Sequence, residues 1–268
     1  MMKFLYWITA LFIVFITPVN SQDLTEERNT VDENGLKQGY WESFYPNGKM
    51  QYQGNFKDDR PVGLFVRFFP SGIKMAEINF CDEGRRAVAG IYNESGVIAA
   101  KGIYIDEKKD SIWSYFSGNE ARLASTETYV HGVKQGLSAT WYPNGKQAET
   151  FWYENDRRNG PWNQFYDTGR LKVRSAMKDG QREGEFIYYT SDGRIEIKGN
   201  YRNNQMHGEW SFYDDAGKLI SVVVYHDGRP DNEEAIIDNE QVMFRQIEEM
   251  RGRIPEPDES EMFSPGRY

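Results

Sequence analysis

The residues best suited to catalysis or metal binding are few and scattered. The three histidines, His131, His207 and His226, are expected in loops between repeated units, at offsets that give no pair the spacing of metal ligands. Cys81 is the only cysteine, which excludes an internal disulfide and the usual zinc clusters, and we expect a partly buried structural thiol there. The sequence therefore predicts no enzyme, no metal site and no cofactor.

Four tryptophans occupy comparable positions in successive units, namely Trp41, Trp113, Trp162 and Trp210. If the units stack, these rings form a column along one side of the array. Two interpretations follow: the rings pack against neighbouring hairpins, or they form an open aromatic trough that binds a glycan or an extended peptide.

A second column is basic and comes directly after the turns, at Lys49, Lys146, Arg170, Arg194 and Lys218. Cations along one edge of a sheet can contact anionic headgroups or acidic polymers. They can equally form a solvated edge that blocks aggregation. Both interpretations stand at this level.

The elements that position these columns come from a repeated pattern of glycine, aromatic strand, turn and second glycine. Gly39 to Gly48 is the first example, and the closing glycines of later units lie 24 residues apart. Such a period predicts a repeat array. Pro46-Asn47-Gly48 predicts a type I turn with a glycine bulge, so each unit is a β-hairpin.

The second strands alternate between apolar and polar residues, as strands with one buried face do. Met50, Tyr52, Gly54 and Phe56 share one face, and the residues between them are polar. Two units depart from the pattern: Ala87 and Asp110 stand where an opening glycine is expected, and the region 118–129 holds about three extra residues. We therefore expect irregular pairing or a bend within 85–130.

The predicted fold class is all-β: an elongated, curved, single-layer antiparallel sheet of about eight stacked hairpins over 34–230. At about 4.8 Å per strand such a sheet is roughly 75 Å long. Apolar residues at helical spacing predict a short C-terminal α-helix over 231–251 that caps the array. Residues 23–33 are expected to be a flexible lead-in, and 252–268 a disordered tail.

The first 22 residues are typical of a secretory signal peptide. Lys3 precedes an uncharged run over 4–17, and small residues follow at Val19 and Ser21. A fourteen-residue helix reaches only about 21 Å of the ~30 Å hydrocarbon core of a bilayer, which favours cleavage over an uncleaved anchor. The chain is therefore predicted to be exported, and to be periplasmic, outer-membrane-associated or secreted.

The net charge of -9 comes from the two ends of the chain. Residues 35–230 carry 26 basic and 25 acidic side chains. A neutral body with acidic flanks argues against nucleic acid, because phosphate neutralisation needs a basic face.

The glycine, the aromatic strand, the turn and the second strand ending in an aromatic residue resemble the MORN-repeat variant family. The resemblance covers roughly 30–228 and is close over 160–201. It implies an all-β array of stacked hairpins with a binding or scaffolding role, and some bacterial members are labelled antitoxins.

Two functions are compatible with these observations. The first is an exported, non-enzymatic repeat protein that binds or scaffolds a protein or envelope polymer, with peripheral membrane contact and homo-oligomers both allowed. The alternative is an inhibitor or antitoxin-type immunity protein that masks a toxin or secreted enzyme.

Overall fold

The structure is a computed structural model that describes residues 28–231. Within that range the chain forms one open antiparallel sheet of 20 strands and a single 3-10 turn at Asp82–Gly84. The all-β prediction is confirmed. Four predictions fall wholly or partly outside the described residues: the signal peptide over 1–22, residues 23–27 of the lead-in over 23–33, the C-terminal helix from residue 232 onward and the disordered tail.

The strands follow one another along the chain. They are β1 Thr30–Val31, β2 Lys37–Phe44, β3 Met50–Lys57, β4 Arg60–Phe68, β5 Lys74–Cys81, β6 Arg86–Tyr92, β7 Ile98–Ile105, β8 Lys108–Ser117, β9 Arg122–Val130, β10 Val133–Lys134, β11 Gly136–Trp141, β12 Gln147–Glu154, β13 Arg157–Phe165, β14 Leu171–Lys178, β15 Gln181–Arg182, β16 Gly184–Tyr189, β17 Ile195–Arg202, β18 Gln205–Tyr213, β19 Leu219–His226 and β20 Arg229–Pro230.

Each long strand pairs with the strand before it and the strand after it in the chain. The eight hairpins are β2–β3, β4–β5, β6–β7, β8–β9, β11–β12, β13–β14, β16–β17 and β18–β19. Short strands β10 and β15 begin the paths that continue as β11 and β16, and β20 pairs with the end of β19. The sheet is thus a linear series of hairpins, as the repeat predicts.

The turn has the predicted geometry in every hairpin except the fourth, whose turn spans 118–121. The N–H of Gly48 donates to the carbonyl of Tyr45 at 2.9 Å, and the N–H of Tyr45 donates to that of Lys49 at 2.8 Å. Gly48 has φ +78° and the pairing shifts register beside it, which is a type I turn with a glycine bulge.

The connections between hairpins are mostly two-residue turns with both residues left-handed. Asp58 and Asp59 have φ of +51° and +62°, the values of a type I′ turn, which suits the twist of the flanking strands. The opening glycine Gly63 then lies in a bulge at φ +65°, where the register of β3 and β4 shifts. The opening glycine is therefore a bulge residue.

The expected irregularity near 85–130 is absent from the pairing between β5 and β6. These strands run in register without a shift, because Ala87 stands where other units have the left-handed glycine. The connection over 82–85 is longer than in other units and contains the residues that form the bulge elsewhere. The repeat period is therefore preserved. Ser111, with φ +58°, occupies the next opening position, one residue after the predicted Asp110. The extra residues near 118 remain in the turn of the fourth hairpin.

One face of the sheet, here called the core face, carries the aromatic clusters. Trp113 and Trp210 are fully buried there, each in a separate cluster of aromatic and aliphatic side chains. A large ring lies over a glycine of the preceding strand: a Cβ added at Gly102 would lie 2.3 Å from Trp113, and one at Gly199 2.2 Å from Trp210. The core is thus built by fitting rings into spaces that glycine leaves open.

The first described residues are ordered into the sheet, which corrects the expected flexible lead-in at its C-terminal end. Thr30–Val31 pairs with β2. The carboxylate of Asp32 accepts hydrogen bonds from the N–H groups of Asn34 and Leu36, both at 2.9 Å. The array therefore begins before residue 34.

Candidate binding surface

The tryptophan column belongs to the core. Trp113 and Trp210 expose none of their surface and Trp162 exposes 5%, while Trp41 is half-buried. Their indole N–H groups donate within the sheet, for example from Trp210 to the carbonyl of Asn200 at 3.1 Å. These rings therefore pack between hairpins. They do not form the open aromatic trough that the sequence also allowed.

A row of cations covers this core face and was missed at the level of sequence. Lys109 Nζ lies 4.8 Å from the ring centre of Trp113, and the guanidinium of Arg158 lies 3.6 Å from that of Phe151. The contacts are cation–π interactions, strengthened by partial burial. The signal in the sequence is a basic residue two positions before the opening residue, as at Lys37, Lys109, Lys134, Arg158 and Arg182.

The predicted basic edge serves mainly to join one turn to the next. Lys146 Nζ donates to the carbonyl of Thr168 at 2.7 Å, and Arg170 donates to that of Ser191 at 2.9 Å. Lys49 makes the same contact to Ser71, and Arg194 pairs with Asp192. Lys218 lies exposed at the last turn.

Tyrosines and asparagines of the turns reinforce that edge. The hydroxyl of Tyr142 donates to the carbonyl of Phe165 at 2.7 Å, and Asn144 Nδ2 donates to that of Asp167 at 2.7 Å. Each donor reaches the next turn along the array. The turn motif is thereby explained by stacking contacts between units.

The opposite edge is joined in a similar way by acids and amides. Asp59 Oδ1 accepts from the N–H of Lys37 at 2.7 Å, and Asn204 Oδ1 accepts from that of Arg182 at 2.6 Å. Asp110 accepts from the N–H of His131, and this hydrogen bond is the main reason that the pKa of Asp110 lies below its ordinary value of 3.8.

The candidate chemical residues stay apart in the structure. His131 lies in a turn, but His207 lies inside β18 and His226 ends β19, so the loop prediction was wrong for these two. Cys81 ends β5 and is half-buried, with its sulfur 3.8 Å from Arg86 Nη1. Among residues 28–231 no group of three or more His, Cys, Asp or Glu is arranged to hold a metal ion.

The face opposite the aromatic clusters, here called the outer face, carries a row of exposed large apolar side chains. Their exposed fractions are between 43% and 59%. We name this set the outer row; it consists of Leu64, Val88, Ile112, Leu137 and Trp152. Four of the five directly follow an opening position, a signal that the second strands alone do not reveal.

The outer row crosses the sheet from β4 to β12, with Asn79 and Thr128 between some of its members. Asn79 pairs with both Leu64 and Val88, and Val88 pairs in turn with Ile103. Farther along, Ile112 pairs with Thr128, whose hydroxyl donates to the carbonyl of Leu137 at 2.7 Å; Leu137 pairs with Trp152. The five side chains expose on the order of 500 Å² of apolar surface, a size at which patches are often functional.

At the position that directly follows an opening residue, the last two units have glutamate in place of an apolar residue. The corresponding position is Glu185 in the seventh unit and Glu209 in the eighth, and both are exposed. Glu185 pairs with Arg174 at 2.9 Å and with Lys198 at 3.5 Å. Because the same position accepts glutamate in the same fold, the apolar residues of the outer row are not needed for folding.

Residues 28–231 contain no helix of the length and apolarity needed to cross a bilayer. No curated protein matches the chain. Among solved structures, one titled "Crystal Structure of TarM" is similar at 16% identity over 35% of this chain and 20% of that one, with a TM-score of 0.27. Another, "ASR Alternansucrase in complex with isomaltononaose", is similar at 15% identity over 70% of this chain and 16% of that one, with a TM-score of 0.19.

The chain therefore spans a fifth or less of those two structures. The sequence model of the MORN repeat variant matches at 37–58, 182–203 and 206–227. These segments cover most of the first, seventh and eighth hairpins, and the other hairpins follow the same strand order. The chain therefore carries segments that match the MORN repeat variant at these three places.

Proposed function

We propose that this protein is an exported, non-enzymatic binding or scaffolding module that holds a macromolecular partner at the cell envelope through its outer row. MORN repeats suggest a repeat-based binding module. The observation that carries the proposal is the outer row itself, a series of half-exposed apolar residues on one face of the sheet.

The other surfaces of the array support this choice. The core face is closed by cations and aromatic rings, and both edges are engaged in hydrogen bonds between turns. Exposed apolar patches on soluble proteins commonly mark interaction sites. A partner protein is favoured over a charged polymer, because the outer row contains no charged side chain.

The envelope location rests on the sequence of the first 22 residues, with its basic start, its uncharged run and small residues at the expected cleavage region. The proposal of a non-enzymatic role rests on the sequence, in which the histidines and the cysteine fall at unrelated positions of the repeat.

Capture from envelope fractions with crosslinking and mass spectrometry tests the proposal. Leu137→Glu places in the fifth unit the residue that the eighth unit has at Glu209, so the variant is expected to fold. It should lose the partner, whereas the control Glu209→Gln on the same face should retain it. Circular dichroism and thermal melting of each variant check that folding is intact.

A partner captured equally well by Leu137→Glu and the unsubstituted chain would contradict the role of the outer row. Capture of a toxin or secreted enzyme whose activity the chain suppresses would identify the alternative function, an inhibitor or antitoxin-type immunity protein. No partner in any envelope fraction would overturn the proposed function altogether.

A further inference from the structure

We infer that the outer row pairs with the outer row of a second copy of this chain, forming a back-to-back dimer. This inference rests on the proposed function, because it names the partner of the same surface. Three features of the outer row lead to it: its symmetry, its size and the absence of charged residues among its members.

The outer row is self-complementary about its centre. Ile112, its most exposed member at 59%, lies on β8, midway between β4, which carries Leu64, and β13. A two-fold axis along β8 in the plane between two copies places Val88 opposite Leu137 of the second copy. It also places the largest residue, Trp152, opposite the smaller Asn79. The largest residue thus meets a smaller one, and the branched aliphatic residues meet each other, which allows the two faces to pack closely.

The size of the outer row suits a stable dimer. Each copy exposes on the order of 500 Å² of apolar surface, so two copies bury roughly 1,000 Å² from these residues alone. The surrounding side chains bring the total into the range of about 1,200–2,000 Å² that is typical of specific interfaces. Isologous contacts of this kind are the commonest route to symmetric oligomers.

Charge does not oppose the contact. Residues 35–230 carry 26 basic and 25 acidic groups, so the array has almost no net charge to repel a second copy. Glu77 on β5 and Lys101 on β7 lie on the outer face within the span of the row, and their charges have opposite signs.

Sedimentation velocity and light scattering of the full chain, from about 0.1 to 50 µM, test the inference. We expect twice the mass of one chain at the upper concentrations. Ile112→Asp places two carboxylates at the axis and should weaken the dimer by roughly 100-fold. The control Val222→Asp substitutes an apolar residue, 46% exposed on the same face but far from the axis, and should leave the dimer unchanged.

A second measurement locates the axis. In a Cys81→Ser background, Ile112→Cys should crosslink to its own copy with a short bismaleimide, and Val222→Cys should not. A chain that is monomeric at every concentration, or a dimer that Ile112→Asp leaves intact, overturns the inference. A monomer that still captures an envelope protein through Leu137 overturns only the dimer, and a row-dependent dimer without such a protein contradicts only the envelope partner.

Discussion

Replacing Gly199 by alanine tests whether the core is built by fitting rings against glycines. Gly199 has an ordinary φ, so the change adds no backbone strain. The new Cβ would lie 2.2 Å from Cδ2 of Trp210, whereas carbon atoms in contact prefer about 3.5–4.0 Å. The ring would have to retreat by more than about 1 Å.

That movement is opposed by the neighbours of Trp210. The ring is fully buried, and its centre lies 5.1 Å from that of Tyr201 and 5.6 Å from that of Phe186. Overpacking a filled core costs about 1–3 kcal/mol, which is the expected loss in free energy of unfolding. Chemical denaturation followed by tryptophan fluorescence and circular dichroism measures it.

A double-mutant cycle assigns the cost to the ring. Trp210→Ala alone should cost about 3–5 kcal/mol, and adding Gly199→Ala to it should cost almost nothing further, because the added methyl then meets no ring. The control is Gly90→Ala, where the added Cβ would lie 3.4 Å from its nearest atom, the hydroxyl oxygen of Tyr92. This substitution should leave the free energy of unfolding nearly unchanged. Equal costs of Gly199→Ala with and without Trp210 would refute the reasoning.

Two further substitutions address the edges of the array. Lys146→Met keeps the side-chain stem but removes the donor to Thr168, and should lower the free energy of unfolding by about 0.5–1.5 kcal/mol while leaving sedimentation with anionic vesicles unchanged. The carboxylate of Asp110 has a lowered pKa, mainly because the N–H of His131 donates to it, so it stabilises the fold above its unfolded pKa and this contribution is lost as the pH falls through the folded pKa. Asp110→Asn should therefore destabilise the chain at neutral pH and flatten the acid limb of a stability–pH curve; an unchanged limb would contradict the assignment.

The local geometry of the hairpins could be predicted because the turn residues determine it. Pro46, Asn47 and Gly48 select their turn from their own backbone preferences, and the structure has that turn. The response to Ala87 could not be predicted in the same way. In this unit the extra residues lie in the connection before β6 and not in a bulge within the strand. Both arrangements preserve the same repeat period, so the sequence does not decide between them.

The solvent exposure of each face was harder to predict from the sequence, because it depends on side chains several strands apart. Trp113 is covered by Lys109 of its own strand and by Tyr104 and Tyr129 of the neighbouring strands. A column of tryptophans indicates aromatic packing, but its spacing does not reveal what covers the rings. Leu64 had the opposite difficulty, since it looks like an ordinary strand residue until the bulge at Gly63 places it on the outer face.

In this arrangement, the residues that hold the fold together are different from the residues proposed to bind a partner. Core-face residues and turn donors contact the next unit along the array, so a change at Trp210 or Lys146 alters stability first. The residue that follows the opening glycine is not needed for these contacts. It is leucine at 64 and 137 and glutamate at 185 and 209 within one continuous sheet. Substitution there can change what the array binds without changing how it folds, and for that reason we propose the outer row as the surface on which a partner is selected.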